Sequence, residues 1–259
     1  MESIWRVEID AKVATFILDQ KPINVLSKPV LLELESFLEK FRLDPNVKCL
    51  VLTGSGMTFV AGADIKEIAT IQNEEQALQA SQVGQALFMK IENFEKPILA
   101  AINGVCLGGG LELAMACHMR ICSDRAKLGQ PEINLGIMPG FGGTQRLSRL
   151  VGKSKAIEWI LRGDFITPSE ALTRGLVDEV VPDSEVLKQS QGWAKKLALK
   201  PRIAVRAILK AIQEGMAKPT MEEAMRVEAK LFAECCHSKD MKEGIQAFIE
   251  KRQPKFIDE

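Results

Sequence analysis

Three consecutive glycines, Gly108, Gly109 and Gly110, stand where an apolar run gives way to a helical pattern, and few architectures put such a junction to use. Upstream, Pro97-Ile98-Leu99-Ala100-Ala101-Ile102 reads as a buried strand, bounded by Lys96-Pro97 and by Asn103-Gly104. Downstream, Leu111-Glu112-Leu113-Ala114-Met115-Ala116-Cys117 reads as a helix. Glycine at the joint leaves free backbone N–H groups at a helix N-terminus with no Cβ before them, which suits a carbonyl oxygen acquiring negative charge. Glu112 falls in the first turn, where the helix dipole favours its ionised form. The same glycines would equally serve close helix packing with Glu112 as a cap, and this segment alone does not separate the two readings.

Short β-rich runs alternate with helical stretches up to about residue 150. Val13-Ala14-Thr15-Phe16-Ile17-Leu18 and Cys49-Leu50-Val51-Leu52-Thr53 read as strands around a helix over 29–41, so the expected class is α/β. From about 153 the chain reads mostly helical, over 154–161, 184–199, 201–214, 220–233 and 239–251. Thr167-Pro168-Ser169-Glu170 marks a helix start, with Thr167 as cap, Pro168 at the first position and Glu170 completing a capping box. Leu176-Val177-Asp178-Glu179-Val180-Val181 reads as a strand ending at Pro182. No linker, charge run or fixed-period repeat divides the sequence, so one principal domain is expected. The late helices must bury their apolar stripes on the core or on a neighbouring subunit.

Several function classes fall away. With 34 basic and 34 acidic side chains the formal charge is zero, and aromatics are 5% with no tyrosine, so neither phosphate attraction nor base stacking points to nucleic acid. The uncharged stretch between Lys96 and Glu112 is shorter than the roughly 18 apolar residues of a membrane span. Met1-Glu2-Ser3-Ile4-Trp5-Arg6 shows no apolar leader region, and the six cysteines form no C-x-x-C pair, so reduced thiols and a cytoplasmic setting are expected. Cys117, His118 and Cys122 lack the second pair a metal would need, and no metal is expected. His118 and His237 are the only histidines and no G-x-S-x-G occurs, which removes a Ser/His/Asp hydrolase. Gly152-Lys153-Ser154 has Leu147 where a P-loop needs glycine, and no G-x-G-x-x-G follows a strand, so no nucleotide cradle is visible.

Two further segments carry possible chemistry. In Leu128-Gly129-Gln130-Pro131-Glu132-Ile133 an acid stands among apolar residues with no cation near in sequence, a setting that raises a carboxyl pKa; an exposed turn glutamate would look the same. Gly54-Ser55-Gly56 through Ala61-Gly62-Ala63-Asp64-Ile65-Lys66 follows a strand and offers small residues with free amides before a helix.

Jointly the three segments resemble the enoyl-CoA hydratase, or crotonase, superfamily over nearly the whole chain. The marks are Ala61-Gly62-Ala63-Asp64-Ile65-Lys66, Asn103-Gly104 with Gly108-Gly109-Gly110-Leu111-Glu112-Leu113-Ala114, and Gly129-Gln130-Pro131-Glu132 with Pro139-Gly140-Phe141-Gly142-Gly143-Thr144-Gln145-Arg146-Leu147. The resemblance implies a crotonase-like spiral of ββα units over residues 1–195, holding a CoA-thioester site. It also implies a C-terminal helical trimerisation region over 196–259. The implied substrate is an acyl-CoA thioester with no separate cofactor, and the implied assembly is a homo-oligomer, a trimer or a hexamer of two trimers.

By matching position, the resemblance makes Glu112 and Glu132 the catalytic carboxylates and the amides of Ala63 and Gly109 the oxyanion hole. Ala61, Asp64, Ile65 and Lys66 would meet the coenzyme beside Ala63, and Phe248 and Lys251 would reach a neighbour's nucleotide pocket. Lys66 and Lys251 would supply local positive charge for the coenzyme phosphates. The helical stretch over 67–95 would border the acyl end. Possession of both glutamates selects hydration of a trans-2-enoyl-CoA to a 3-hydroxyacyl-CoA, as in fatty acid β-oxidation or related acyl-CoA metabolism. The alternatives are double-bond isomerisation or other enolate chemistry and, against the zero net charge, a non-catalytic RNA-binding relative. One departure is His118, where relatives often carry aspartate after the cysteine.

Overall fold

The computed structural model describes residues 3–259; Met1 and Glu2, which open the stretch read above for a leader, lie outside the described residues. β1 (Trp5–Asp10) and β2 (Val13–Leu18) pair antiparallel and are followed by α1 (Lys28–Leu43). Three strand–strand–helix units come next. The first comprises β3 (Cys49–Gly54), β4 (Thr58–Val60), α2 (Ile65–Ile68) and α3 (Glu74–Glu92). The second is β5 (Ile98–Ile102), β6 (Val105–Leu107) and α4 (Gly109–Ala116). The third is β7 (Met119–Ser123), β8 (Lys127–Gly129), a 3-10 turn at Pro131–Leu135 and α5 (Gly143–Val151). Then follow α6 (Lys153–Arg162), α7 (Pro168–Thr173), β9 (Glu179–Val181), α8 (Val186–Ala198), α9 (Arg202–Met216), α10 (Met221–Cys236) and α11 (Lys239–Ile249).

The first strand of each unit enters a six-stranded sheet of order β1-β2-β3-β5-β7-β9, and the second enters a three-stranded sheet of order β4-β6-β8. Among the described residues all strand–strand pairings after the first hairpin are parallel, and the chain winds as a spiral of ββα units. The units begin at Cys49, Ile98 and Met119, which is why no fixed period shows in the sequence.

Parallel strands covered on both faces must be apolar throughout, and β2, β3 and β5 are buried at every position. Val30, Leu34, Leu38 and Phe41 put one apolar stripe of α1 against the main core. On the other face, α8 sets Val186, Ala194 and Ala198 against Val13, Cys49, Val51, Leu99 and Ala101. Small residues let that helix approach closely. The division expected at 195/196 falls inside α8, whose last residue, Ala198, belongs to this packing.

Three local expectations change. Only Glu179–Val181 of the run from Leu176 is strand; Leu176 and Val177 are buried beside it while the Asp178 carboxylate accepts from Arg120 N at 2.7 Å. Thr167 does cap α7, but Glu170 directs its carboxylate to Trp159 Nε1 at 3.2 Å, where a buried indole N–H needs an acceptor. The stretch over 67–95 is two helices, because Asn73 caps a new start at Glu74. No helix of the described residues is long and apolar enough to cross a membrane. The six cysteines are free thiols.

Candidate active site

Each unit of the spiral ends one loop at the same place. In the first, Leu26 N donates to Gly62 O at 2.8 Å and Asp64 N donates to Leu26 O at 3.0 Å, making a parallel bridge opposite Ala63. A parallel bridge uses the neighbours of the paired residue and turns that residue's own amide away. In the second, Gly109 opens α4, where first-turn N–H groups have no intrahelical partner. Neither the Ala63 nor the Gly109 N–H donates to an acceptor among the described residues. The two lie side by side, since a Cβ built on Gly109 would stand 3.3 Å from Ala63 N.

Gly108 connects this pair to the acids. Its φ of 49° favours glycine, its N–H donates to Gly129 O at 2.9 Å, and its carbonyl accepts from Glu112 N at 2.9 Å. A Cβ there would lie 3.0 Å from Glu132 Oε1, so the missing side chain is what admits the second carboxylate.

Glu112 is 2% exposed, and its Oε1 accepts from Phe141 N at 2.8 Å and Gly143 N at 2.6 Å. Burial pushes its pKa up to about 7; the Gly143 amide opposes this, the nearby Glu132 charge reinforces it, and the Phe141 amide and Arg146 oppose it. Burial thus outweighs the dipole effect expected from its place in the helix. Glu132, half-buried in the 3-10 turn, is also pushed up to about 7 by burial. With its amide turned to donate, the fully buried Gln130 reaches Glu132 Oε1 at 2.8 Å and Oε2 at 3.2 Å.

The remaining sequence candidates divide. Ala61 is half-buried on the Ala63 loop, with its N–H donating to Asn24 O at 2.8 Å. Asp64 caps α2 by accepting from Lys66 N at 2.9 Å, and Ile65 and Lys66 are exposed beside it. Phe248 lies in the last turn of α11 and Lys251 two residues beyond it, and no hydrogen bond or ion pair among the described residues ties either side chain to Ala63, Gly109, Glu112 or Glu132. His118 is a half-buried neutral acceptor: Nδ1 takes the Ile98 N–H at 2.9 Å, and the burial of its ring pushes its pKa down to about 4. Cys117 Sγ donates to Leu113 O and Cys122 Sγ to Ser123 O.

Phe141, Gly143, Gln130 and Arg146 join the site although the sequence motifs that contain them assign them no task. The glycine cluster before α5 was the available signal, because it repeats the pattern of free amides at a helix start seen at Gly109.

Two unpaired amides beside one buried and one half-buried carboxylate are the arrangement of an enzyme class that can polarise a carbonyl oxygen through the backbone while acids move protons beside it. Comparison with known proteins gives the class its family. A family model described as enoyl-CoA hydratase/isomerase matches residues 8–259. The chain is 45% identical over 249 residues to a probable enoyl-CoA hydratase of Bacillus subtilis, covering 96% of each. It is 44% identical to a crotonyl-CoA hydratase of Syntrophomonas wolfei, over 97% of this chain and 96% of that one. A crystal structure of an enoyl-CoA hydratase from Bacillus anthracis matches with a TM-score of 0.94 at 38% identity, covering 99% of this chain and 100% of that one. The chain belongs to the enoyl-CoA hydratase/isomerase family, and its fold is the crotonase-like spiral.

Proposed function

We propose that this protein hydrates the 2,3 double bond of a trans-2-enoyl-CoA to a 3-hydroxyacyl-CoA. The observation that carries the reading is the presence of both Glu112 and Glu132 with pKa values raised to about 7, beside the free Ala63 and Gly109 amides. A pair poised near neutrality can hold one proton between them and act as base and acid in one turnover.

The thioester oxygen accepts from the Ala63 and Gly109 amides, which stabilise the enolate-like charge; one such donor is worth about 10² to 10³ in rate. Glu112, ionised, takes a proton from water as its oxygen bonds to C3. Glu132, protonated, delivers its proton to C2. The product carries the elements of water, Glu112 ends protonated and Glu132 ionised, and return of the proton through solvent resets the pair. Coenzyme A arrives as part of the substrate, so this reading needs no further cofactor. The protein's similarity to a crotonyl-CoA hydratase and a short-chain-enoyl-CoA hydratase favours a short acyl chain.

The same reading makes the protein a homo-oligomer, with Phe248 and Lys251 directed to a neighbouring copy. Ile208, Ile212, Met216, Met225 and Phe232 of α9 and α10 are exposed and support it.

The deciding experiment is a spectrophotometric assay of crotonyl-CoA hydration by the parent, Glu112→Gln and Glu132→Gln. Each variant should lose about 10² to 10⁴ in kcat with KM little changed, because the amide keeps the shape and loses the proton chemistry. Ordinary turnover by either variant overturns its role, and double-bond migration without 3-hydroxyacyl product would make the enzyme an isomerase instead.

A further inference from the structure

Arg146 and Glu92 stand behind the reacting groups, yet their contacts end on Glu112. The guanidinium, 10% exposed, donates from Nε at 3.1 Å and Nη2 at 2.8 Å to Oε2 of Glu92. Its Nη1 donates to the Phe141 carbonyl at 2.9 Å. Phe141 then donates its own N–H to Glu112 Oε1 at 2.8 Å, and Gly143, three residues before Arg146, adds the second N–H at 2.6 Å. One peptide segment is therefore gripped on its carbonyl side by a cation and presents its amide side to the carboxylate.

We propose that Arg146, oriented by Glu92, is a positioning residue that fixes the Phe141 and Gly143 amides on Glu112 and so keeps the general base aligned and charge-balanced. The proposal rests on the reading of Glu112 as that base.

Two physical effects act together. The hydrogen bond to the Phe141 carbonyl fixes the Phe141–Gly142 peptide plane, and with it the positions of the flanking Phe141 and Gly143 amides that meet Glu112. The Arg146 charge also acts directly on Glu112 across a buried medium, where screening is weak. Glu92 cancels part of that charge. The other groups facing this cluster are few: the buried Cys117 thiol, pushed up by burial, lies within reach of the Arg146 charge, and Arg120 stands near His118. Glu132 approaches Glu112 from the 3-10 turn, and His118, near Glu92, is held neutral by burial. From α3, the uncharged Ser81 and Gln85 donate to Gly140 O at 2.6 and 2.9 Å.

The signs for the two partners differ. Loss of the Arg146 charge makes Glu112 hold its proton more tightly, so the acid limb of kcat/KM moves to higher pH. Loss of the Glu92 charge leaves Arg146 uncompensated and moves that limb to lower pH. A purely structural role would weaken both variants without opposite displacements.

The test is the pH dependence of crotonyl-CoA hydration by the parent, Arg146→Met, Arg146→Lys and Glu92→Gln, with Glu112→Gln as reference. Arg146→Met should lower kcat about tenfold or more with KM nearly constant, and raise its acid limb by about one pH unit. Arg146→Lys should bring the limb back toward the parent, and Glu92→Gln should move it the other way. A parent-like limb in both Arg146→Met and Glu92→Gln overturns the proposal. If Arg146→Met does not fold, an unmoved limb in Glu92→Gln overturns it alone. Normal turnover by Glu112→Gln would instead remove the base assignment, so the two failures are distinguishable.

Discussion

Gly143 donates its amide hydrogen to Oε1 of Glu112 across 2.6 Å, joining the first residue of α5 to the first turn of α4. The contact leaves no room for a larger residue, since a Cβ on Gly143 would lie 2.9 Å from that oxygen and 2.9 Å from the Pro139 Cβ. The helical backbone there accepts alanine, so the substitution tests space alone.

Gly143→Ala is accordingly expected to lower kcat by about 10- to 100-fold, as small displacements of catalytic groups do, and to cost about 1–3 kcal/mol of stability. Steady-state kinetics with crotonyl-CoA and thermal unfolding check both. Parent-like values in both would show that Glu112 and Gly143 can part without consequence.

A carboxyl whose pKa rises on folding binds protons in the native state that the unfolded state has released, so stability falls as pH rises through the interval between the two values. For Glu112 that interval runs from the ordinary glutamate value of 4.5 up to about 7. Glu112→Gln should therefore be more stable than the parent above about pH 7, by an amount of order 1–3 kcal/mol, and the advantage should vanish toward pH 4 to 5. Denaturant titrations at the two extremes measure it; a constant difference across pH would contradict the burial argument.

At Gly109 the Leu26 Cδ1 and the Ala63 nitrogen would each stand 3.3 Å from a new Cβ. Gly109→Val adds two further methyl groups into that space and removes no ionisable group. It should cut kcat by about 10² or more by displacing an oxyanion donor. Unimpaired turnover in a folded variant would place the donor elsewhere.

Burial of the exposed apolar residues of α9 and α10 requires a second copy if they are not to remain in water. Sedimentation should show a closed oligomer, and replacing Ile212 and Phe232 with glutamate should shift it toward monomer. A stable monomer of the parent at micromolar concentration would remove the proposed cross-subunit role of Phe248 and Lys251.

Much of this architecture was legible because its causes are local. The runs ending at Leu18, Thr53 and Ile102 are strands because both faces are covered, which writes unbroken apolarity into the chain. Thr167 capped where its side chain required. Glu170 was less legible, because its use by Trp159 depends on a helix eleven residues upstream. The balance at Glu112 is hidden for the same reason: its helix position is visible in sequence, while the depth that raises its pKa is set by α5 and the loop before it. Arg146 and Glu92, 54 residues apart, show no pairing signal in one sequence.

The three ββα units have a consequence for how activity can be lost or acquired. Ala63 comes from the first, Gly109 and Glu112 from the second, and Glu132 with Gly143 from the third. No single turn of the spiral contains a working fragment of the centre. On the proposed assignment, a nascent or truncated chain with two turns stacked would hold both amides and Glu112 without Glu132, and so would not complete the reaction. Catalysis would then switch on only with completion of the third turn, which would make turnover itself a sensor of whether the whole spiral has been wound.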